Sequence, residues 1–132
     1  MDSFDKLFNK QEKRYWGKYP AIVADVNDPE DRFRIRVKQN FFYGTEYSPW
    51  AEPCIPFGGR NNIGEFNYPE IGSGVWIEFR FGLKSMPIWT GYYVSRPNGI
   101  TEKPQEATSG VCVKKTKHFS IIIDDNSGIL KI

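Results

Sequence analysis

The sequence predicts an all-β protein: a small closed or partly open barrel of about five short strands, with a short amino-terminal helix and a carboxy-terminal β-ribbon. Three observations predict it. Two stretches alternate apolar and polar residues with strict period two, which puts successive side chains on opposite faces of a strand. Aromatic residues make up 16% of the chain and stand beside 12 Gly and 9 Pro, a mixture that favours short strands and tight turns over helices. The length, 132 residues, suits one domain with a real core but not two independent cores.

Taken in order, residues 1–16 form a helical arm. Phe4, Leu7, Phe8 and Tyr15 recur at near-helical spacing, Ser3 is placed to cap, and Asp5 sits where a carboxylate meets the positive helix end. Trp16-Gly17 would stop this helix, and its narrow stripe must lie either on the chain's own barrel or on a partner.

Residues 17–95 hold the barrel. Residues 19–26 read as a mostly apolar strand, followed by the turn cluster Asn27-Asp28-Pro29-Glu30-Asp31. Residues 32–38 then alternate, with Phe33, Ile35 and Val37 on one face and Arg32, Arg34, Arg36 and Lys38 on the other. Residues 39–49 form a loop. Residues 50–57 can extend, but Pro53 and Pro56 bar them from the middle of a sheet. Residues 58–74 are Gly-rich and irregular, with little or no helix. Val75, Ile77, Phe79 and Phe81 form the inward set of another strand, residues 82–86 turn the chain, and residues 87–94 return it with a bulge or bend at Gly91. Residues 96–116 lose all periodicity and read as a linker. Residues 117–132 read as a ribbon of two strands around residues 125–128, with Phe119, Ile121 and Ile123 sharing a face. A lone ribbon is unstable in water, so this tail is expected to lie on the barrel or to pair with other copies.

The chemistry the chain carries is sparse. Net charge is only +2, too mild to argue for nucleic acid by composition. No apolar run approaches the roughly 20 residues that span a bilayer, and the first residues lack a signal-peptide layout, so cytoplasmic synthesis is expected. Cys54 and Cys112 form no CxxC pair and have one histidine, His118, to work with; zinc is improbable, and two free, mostly buried thiols are expected. There is no G-x-S-x-G, P-loop or HExxH pattern. Glu65 and Glu70 read as surface carboxylates rather than a glycosidase pair, and Asp124-Asp125 as turn residues rather than a calcium site. No catalytic residue, metal or cofactor is assigned. The stripe of Arg32, Arg34, Arg36 and Lys38 is the sharpest candidate feature. It is either a solvated face, a face paired with acidic groups of a partner, or a single-stranded nucleic-acid surface.

The order of these pieces resembles a known family. Residues 23–37, V-x-D-V-N-D-P-E-D-R-F-R-I-R-V, look like the opening hairpin of the OB-type domain of phage baseplate spike proteins. That family comprises phage baseplate assembly protein V, the amino-terminal domain of the T4 tail-spike lysozyme and the VgrG spikes of type VI secretion. Ser48-Pro49-Trp50-Ala51-Glu52-Pro53 resembles its small-x-Trp-Ala strand, and residues 64–79 its Pro-Glu-x-Gly signature strand. Pro87-Ile88-Trp89-Thr90-Gly91-Tyr92 resembles its closing strand, and residues 118–125 the segment that opens its trimeric needle. In the T4 member a lysozyme domain stands between barrel and needle; here only residues 96–116 fill that space, so hydrolase activity does not carry over.

The resemblance implies a virion component at the tip of a contractile tail or related injection machine, linking the tail hub to the membrane-piercing needle. It implies a homotrimer, a hub protein as partner, room for a separate needle or tip protein, no nucleic acid, and membrane contact only through the spike. The sequence ends at Ile132, where the needle would begin, so the needle is expected from a longer chain or from another protein. Phe119, Ile121, Ile123, Leu130 and Ile132 are the expected trimer interface. Phe4, Leu7, Phe8, Arg32, Arg34 and Arg36 are the expected hub-docking residues. The competing readings are a single-stranded nucleic-acid-binding barrel and a wall-degrading enzyme.

Overall fold

A computed structural model of the chain describes residues 13–132. The chain divides into two compact units, one running through Tyr93 and the other spanning Val94–Ile132. The described residues are mostly β.

The first unit is built from β1 (Tyr19–Asp25), β2 (Arg36–Lys38), α1 (Asn40–Tyr43), β3 (Glu52–Pro53), β4 (Gly58–Arg60), β5 (Ile63–Gly64), β6 (Gly74–Phe79) and β7 (Pro87–Tyr92). Five of these strands form one sheet in the order β2-β1-β6-β7-β3. All its pairings are antiparallel except β3 with β7. The two outer strands are joined just ahead of their starts. Ala51 donates to Ile35 O at 2.7 Å, and Ile35 donates back to Ala51 O at 3.2 Å. The pairings therefore run in a circuit, which leaves little free edge. Inside it sit Ala21, Val23, Phe33, Ile35, Val37, Ala51, Val75, Ile77, Phe79 and Trp89. Pro53 stands on β3 at the end of the order, where a missing N–H costs no central ladder bond.

The alternation in residues 32–38 works as expected for burial: Phe33, Ile35 and Val37 all point into the core. The strand itself is shorter than expected. Asp31 and Phe33 take left-handed backbone (φ 53° and 60°), so residues 32–34 leave the ladder and only Arg36–Lys38 pair with β1. Phe81 corrects the inward set of the next strand. It lies in a 3-10 turn, Arg80–Gly82, with φ 56° and 44% exposure, because the Leu83 N–H bonds back to Arg80 O and swings the chain off the strand line.

The expected loop at 39–49 contains α1. Gln39 caps it, its side chain accepting from the N–H groups of Phe41 (2.7 Å) and Phe42 (3.3 Å). The one-turn helix drives Phe42 into the core against Tyr15, Tyr19 and Phe79. The stretch expected to be irregular, 58–74, opens with the β4–β5 hairpin. Asn61 and Asn62, both at φ 58°, supply its mirror-image turn. Gly58 faces Gly64 across it, and the Phe66 ring lies over both. At Gly64, with φ +156°, a Cβ would stand 2.7 Å from Gly58 Cα, so only glycine fits.

The amino-terminal helix expectation mostly falls outside the described residues, Phe4, Leu7 and Phe8 included. Residues 13–15, its expected end, are not helical; Tyr15 donates instead to Gly82 O at 2.8 Å.

The second unit corrects the linker reading. Its strands are β8 (Val111–Lys115), β9 (Ser120–Asp124) and β10 (Ile129–Lys131), in the antiparallel order β10-β9-β8. β8 lies inside the expected linker, so the ribbon has a third strand. Val113 faces Ile122 across the ladder, an apolar cross-strand pair, and Val111 faces Asp124. The turn after β9 is held by the Asp124 carboxylate, which accepts from the N–H groups of Asn126 (2.9 Å) and Ser127 (3.2 Å). The thiol expectation is also corrected: Cys54 and Cys112 are both exposed, Cys54 just beyond β3 and Cys112 on an outward position of β8.

Candidate interaction surfaces

The cationic stripe is built around the β1–β2 connection. Asp28 is fully buried at its side chain and organises that connection. Its carboxylate accepts from the backbone N–H groups of Glu30 (2.9 Å), Arg32 (3.0 Å) and Arg34 (3.2 Å). It also takes both arms of the Arg34 guanidinium, Nε at 2.8 Å and Nη2 at 2.7 Å. This is the fork-to-fork geometry that arginine makes with a carboxylate. The Arg34 hydrogen bond, more than any other contact, holds the Asp28 carboxyl well below the usual carboxylate range; the three N–H donors add to it and burial opposes it. The same bond pushes the Arg34 guanidinium further up, against burial.

The stripe is therefore sorted into two halves. Arg34 is taken by Asp28 and Glu30. Arg32 pairs with Glu30 and Glu52, and Glu52 also binds Arg80. Among the described residues Arg36 and Lys38 make no ion pair. They stand among rings instead. Arg36 lies 5.2 Å from the Tyr47 ring centre and 5.7 Å from that of Trp50; Lys38 lies 5.7 Å from Tyr47, and Arg34 5.8 Å from Trp50.

Ser48 holds those rings in place. It has no solvent exposure. Its Oγ accepts from Val37 N–H at 2.9 Å and donates to Pro49 O at 2.8 Å, while its own N–H donates to Val37 O at 2.8 Å. Its carbonyl takes Arg36 Nε at 3.0 Å. One buried serine thus stitches the 47–50 segment to β2 and sets Tyr47 and Trp50 around Arg36. Sequence reasoning missed Ser48 and Tyr47 as site residues. The signals were a small polar residue between two aromatics in a loop and its place as the small residue of the small-x-Trp-Ala motif, neither of which gave it a role. Of the expected docking set, the structure brings Arg32, Arg34 and Arg36 to one surface but leaves only Arg36 uncompensated.

The second unit carries an apolar surface. Cross-strand pairs put Cys112, Ile123 and Leu130 in one row and Lys114 with Ile121 in the next. Ile121 is 41% exposed, Ile123 45% and Leu130 61%. Phe119 and Ile132, at the ends of this sheet, are more exposed still. The opposite face, with Val111, Val113 and Ile122, is half-buried.

An open cleft of about 510 Å³ in the first unit is lined by Phe33, Cys54, Glu65, Trp89 and Tyr92 among others. Its walls are mainly apolar, and burial raises the Tyr92 hydroxyl above its usual titration range. It gathers no histidine. Among the described residues no three His, Cys, Asp or Glu side chains stand close enough to hold a metal ion. None of the described helices is long and apolar enough to cross a membrane.

Comparison with known proteins bears on these surfaces. No curated protein matches the sequence. The family model of the type VI secretion system/phage-baseplate injector OB domain matches residues 19–93, from the first residue of β1 to the end of the first unit. That match bears out the resemblance drawn from the hairpin, the signature strand and the closing strand. The chain belongs to the type VI secretion system/phage-baseplate injector OB-domain family.

Proposed function

We propose that this chain is a structural component of the hub or spike at the tip of a contractile phage tail or related injection machine, and that it acts without catalysis. The observation that carries the reading is the family match over residues 19–93, which places a baseplate and injector domain in this chain. The closed circuit of pairings β2-β1-β6-β7-β3 supports an OB-type barrel within that domain. The barrel would be held by the tail hub, and the second unit would begin the needle.

The needle reading draws on the exposed face of β8–β10. Ile121, Ile123 and Leu130, with Phe119 and Ile132 at the sheet ends, are costly to leave in water. Three copies around an axis would bury them together at roughly 25 cal/mol per Å² of apolar area. In this reading the chain is a homotrimer, its partners are the hub protein and a needle or tip protein, and its place is the tail baseplate of the assembled particle.

Light scattering of the full chain over a range of concentrations tests this. The expected mass is three times 15.3 kDa, and Ile123→Glu with Leu130→Glu should return it to the single-chain value. A mass that stays at one chain at every concentration, or a trimer indifferent to both substitutions, would contradict it.

A further inference from the structure

We propose that the Arg36–Lys38 edge of the first unit is a docking site for an acidic segment of a partner protein chain. This rests on the reading above only in supposing that the domain works by binding other proteins.

Five cations crowd this side of the sheet: Arg32, Arg34, Arg36, Lys38 and Arg80. Asp28, Glu30 and Glu52 neutralise three of them. Arg36 and Lys38 are left over. Asp25 stands opposite Arg36 across the β1–β2 ladder, but its carboxylate accepts from the Asn27 N–H, and among the described residues neither it nor Glu46 forms an ion pair with Arg36 or Lys38. The surplus is local and specific, since the whole chain carries only +2.

Geometry is the second part. A free surface arginine loses side-chain freedom when it binds, and that loss subtracts from affinity. Arg36 has already lost it. Its Nε is tied to Ser48 O at 3.0 Å, and its guanidinium lies 5.2 Å from the Tyr47 ring centre and 5.7 Å from that of Trp50. Among the described residues that is the one hydrogen bond its guanidinium makes, so its two Nη groups keep their donors. A guanidinium held this way offers a planar pair of N–H groups to a carboxylate. Lys38, two residues on along β2, supplies a second charge on the same face.

The same geometry favours an acidic protein over a nucleic acid. Single strands bind by stacking bases on free aromatic faces. Here each ring is flanked by two cations, Tyr47 by Arg36 and Lys38 and Trp50 by Arg34 and Arg36. Two uncompensated charges also fall short of a track for a phosphate backbone.

The test is a fluorescence-anisotropy titration of the full chain with a short labelled poly-glutamate peptide and, separately, a short oligothymidylate, at low and high salt. The peptide should bind with an affinity that falls as salt rises. Arg36→Gln and Lys38→Gln should each weaken it by about tenfold. Arg36→Lys should recover only part of the loss, because the charge returns without the planar fork. Lys84→Gln removes the same charge elsewhere and should change nothing. Lys38 is exposed, so its variant keeps the test valid if Arg36→Gln unfolds. Absence of peptide binding, an equal loss with Lys84→Gln, or tighter Arg36-dependent binding of the oligothymidylate would each overturn the proposal. Light scattering reports the assembly reading independently. Peptide binding that fails in an intact trimer sinks this inference alone, and binding that persists in a monomer sinks only the assembly.

Discussion

Ser48→Ala is the sharpest perturbation the first unit offers. The substitution removes one oxygen from a site with no solvent exposure and leaves the backbone free to stay as it is. Two bonds go: Val37 N–H to Oγ at 2.9 Å and Oγ–H to Pro49 O at 2.8 Å. They are not equivalent. Pro49 is exposed, so its carbonyl can turn to water. Val37 has no exposure, so its N–H is left buried without a partner. A buried orphaned donor costs about 1–3 kcal/mol, whereas the net value of an ordinary hydrogen bond is nearer 1. The expected loss is therefore about 2 kcal/mol, a fall in Tm of roughly 8–16 °C for a unit of this size. Urea denaturation followed by tryptophan fluorescence should show a lower midpoint with an unchanged slope. Ser85→Ala, at an exposed serine, should stay within about 0.5 kcal/mol of the parent. If Ser48→Ala also stayed within that margin, the claim that Ser48 pins the aromatic segment to β2 would be wrong.

Acid should expose the role of Asp28. Its folded-state pKa lies below its ordinary value of 3.8, so at acid pH the unfolded chain binds the extra proton. The stabilisation is thus complete above the ordinary carboxylate range and is lost as pH falls below it; Asp28→Asn should flatten that part of a denaturation-midpoint curve against pH. Gly64→Ala should damage the β4–β5 hairpin through its positive φ and the approach to Gly58, read as lost amide protection around Ile63 while the β6 and β7 amides keep theirs. Both thiols should react with maleimide in the isolated chain, since Cys54 and Cys112 are exposed. On assembly Cys112 should become protected and Cys54 should not, because Cys112 shares the row of Ile123 and Leu130.

The sequence made the core legible wherever the period of two was strict. Phe33, Ile35 and Val37, and again Val75, Ile77 and Phe79, bury as their spacing predicts. Strand ends were less legible, because they depend on single backbone conformations. Left-handed Phe33 and Phe81 are not residue types that announce that conformation, and Asp31, though a type that favours it, does not fix where the strand begins. The helix α1 escaped because its cap is a glutamine, a weak capping signal. β8 escaped because Val111-Cys112-Val113 is a short alternation closing a stretch rich in Pro, Gly and charge.

The cationic stripe was visible, but its neutralisation was not. Glu30 lies near Arg32 and Arg34 in sequence, whereas Glu52 reaches Arg32 only after the chain has folded. The distinction between spent and unspent cations is a tertiary fact: of the expected Arg32, Arg34 and Arg36 it leaves Arg36 as the candidate docking charge, and it adds Lys38. The buried position expected for the thiols followed the average behaviour of free cysteine, which does not fix any one residue. On the second unit, the spacing of Ile121 and Ile123 was enough to place them on a common face, and the register adds Leu130 and Cys112 to it.

The proposed role, holding other proteins together at the tip of an injection machine, can be seen in place. Electron microscopy of the assembled particle, with this chain carrying a bulky tag, tests it most directly. Tag density is expected on the tail axis at the distal end, with threefold symmetry. Density away from the axis, or particles that assemble complete and active without the chain, would contradict it.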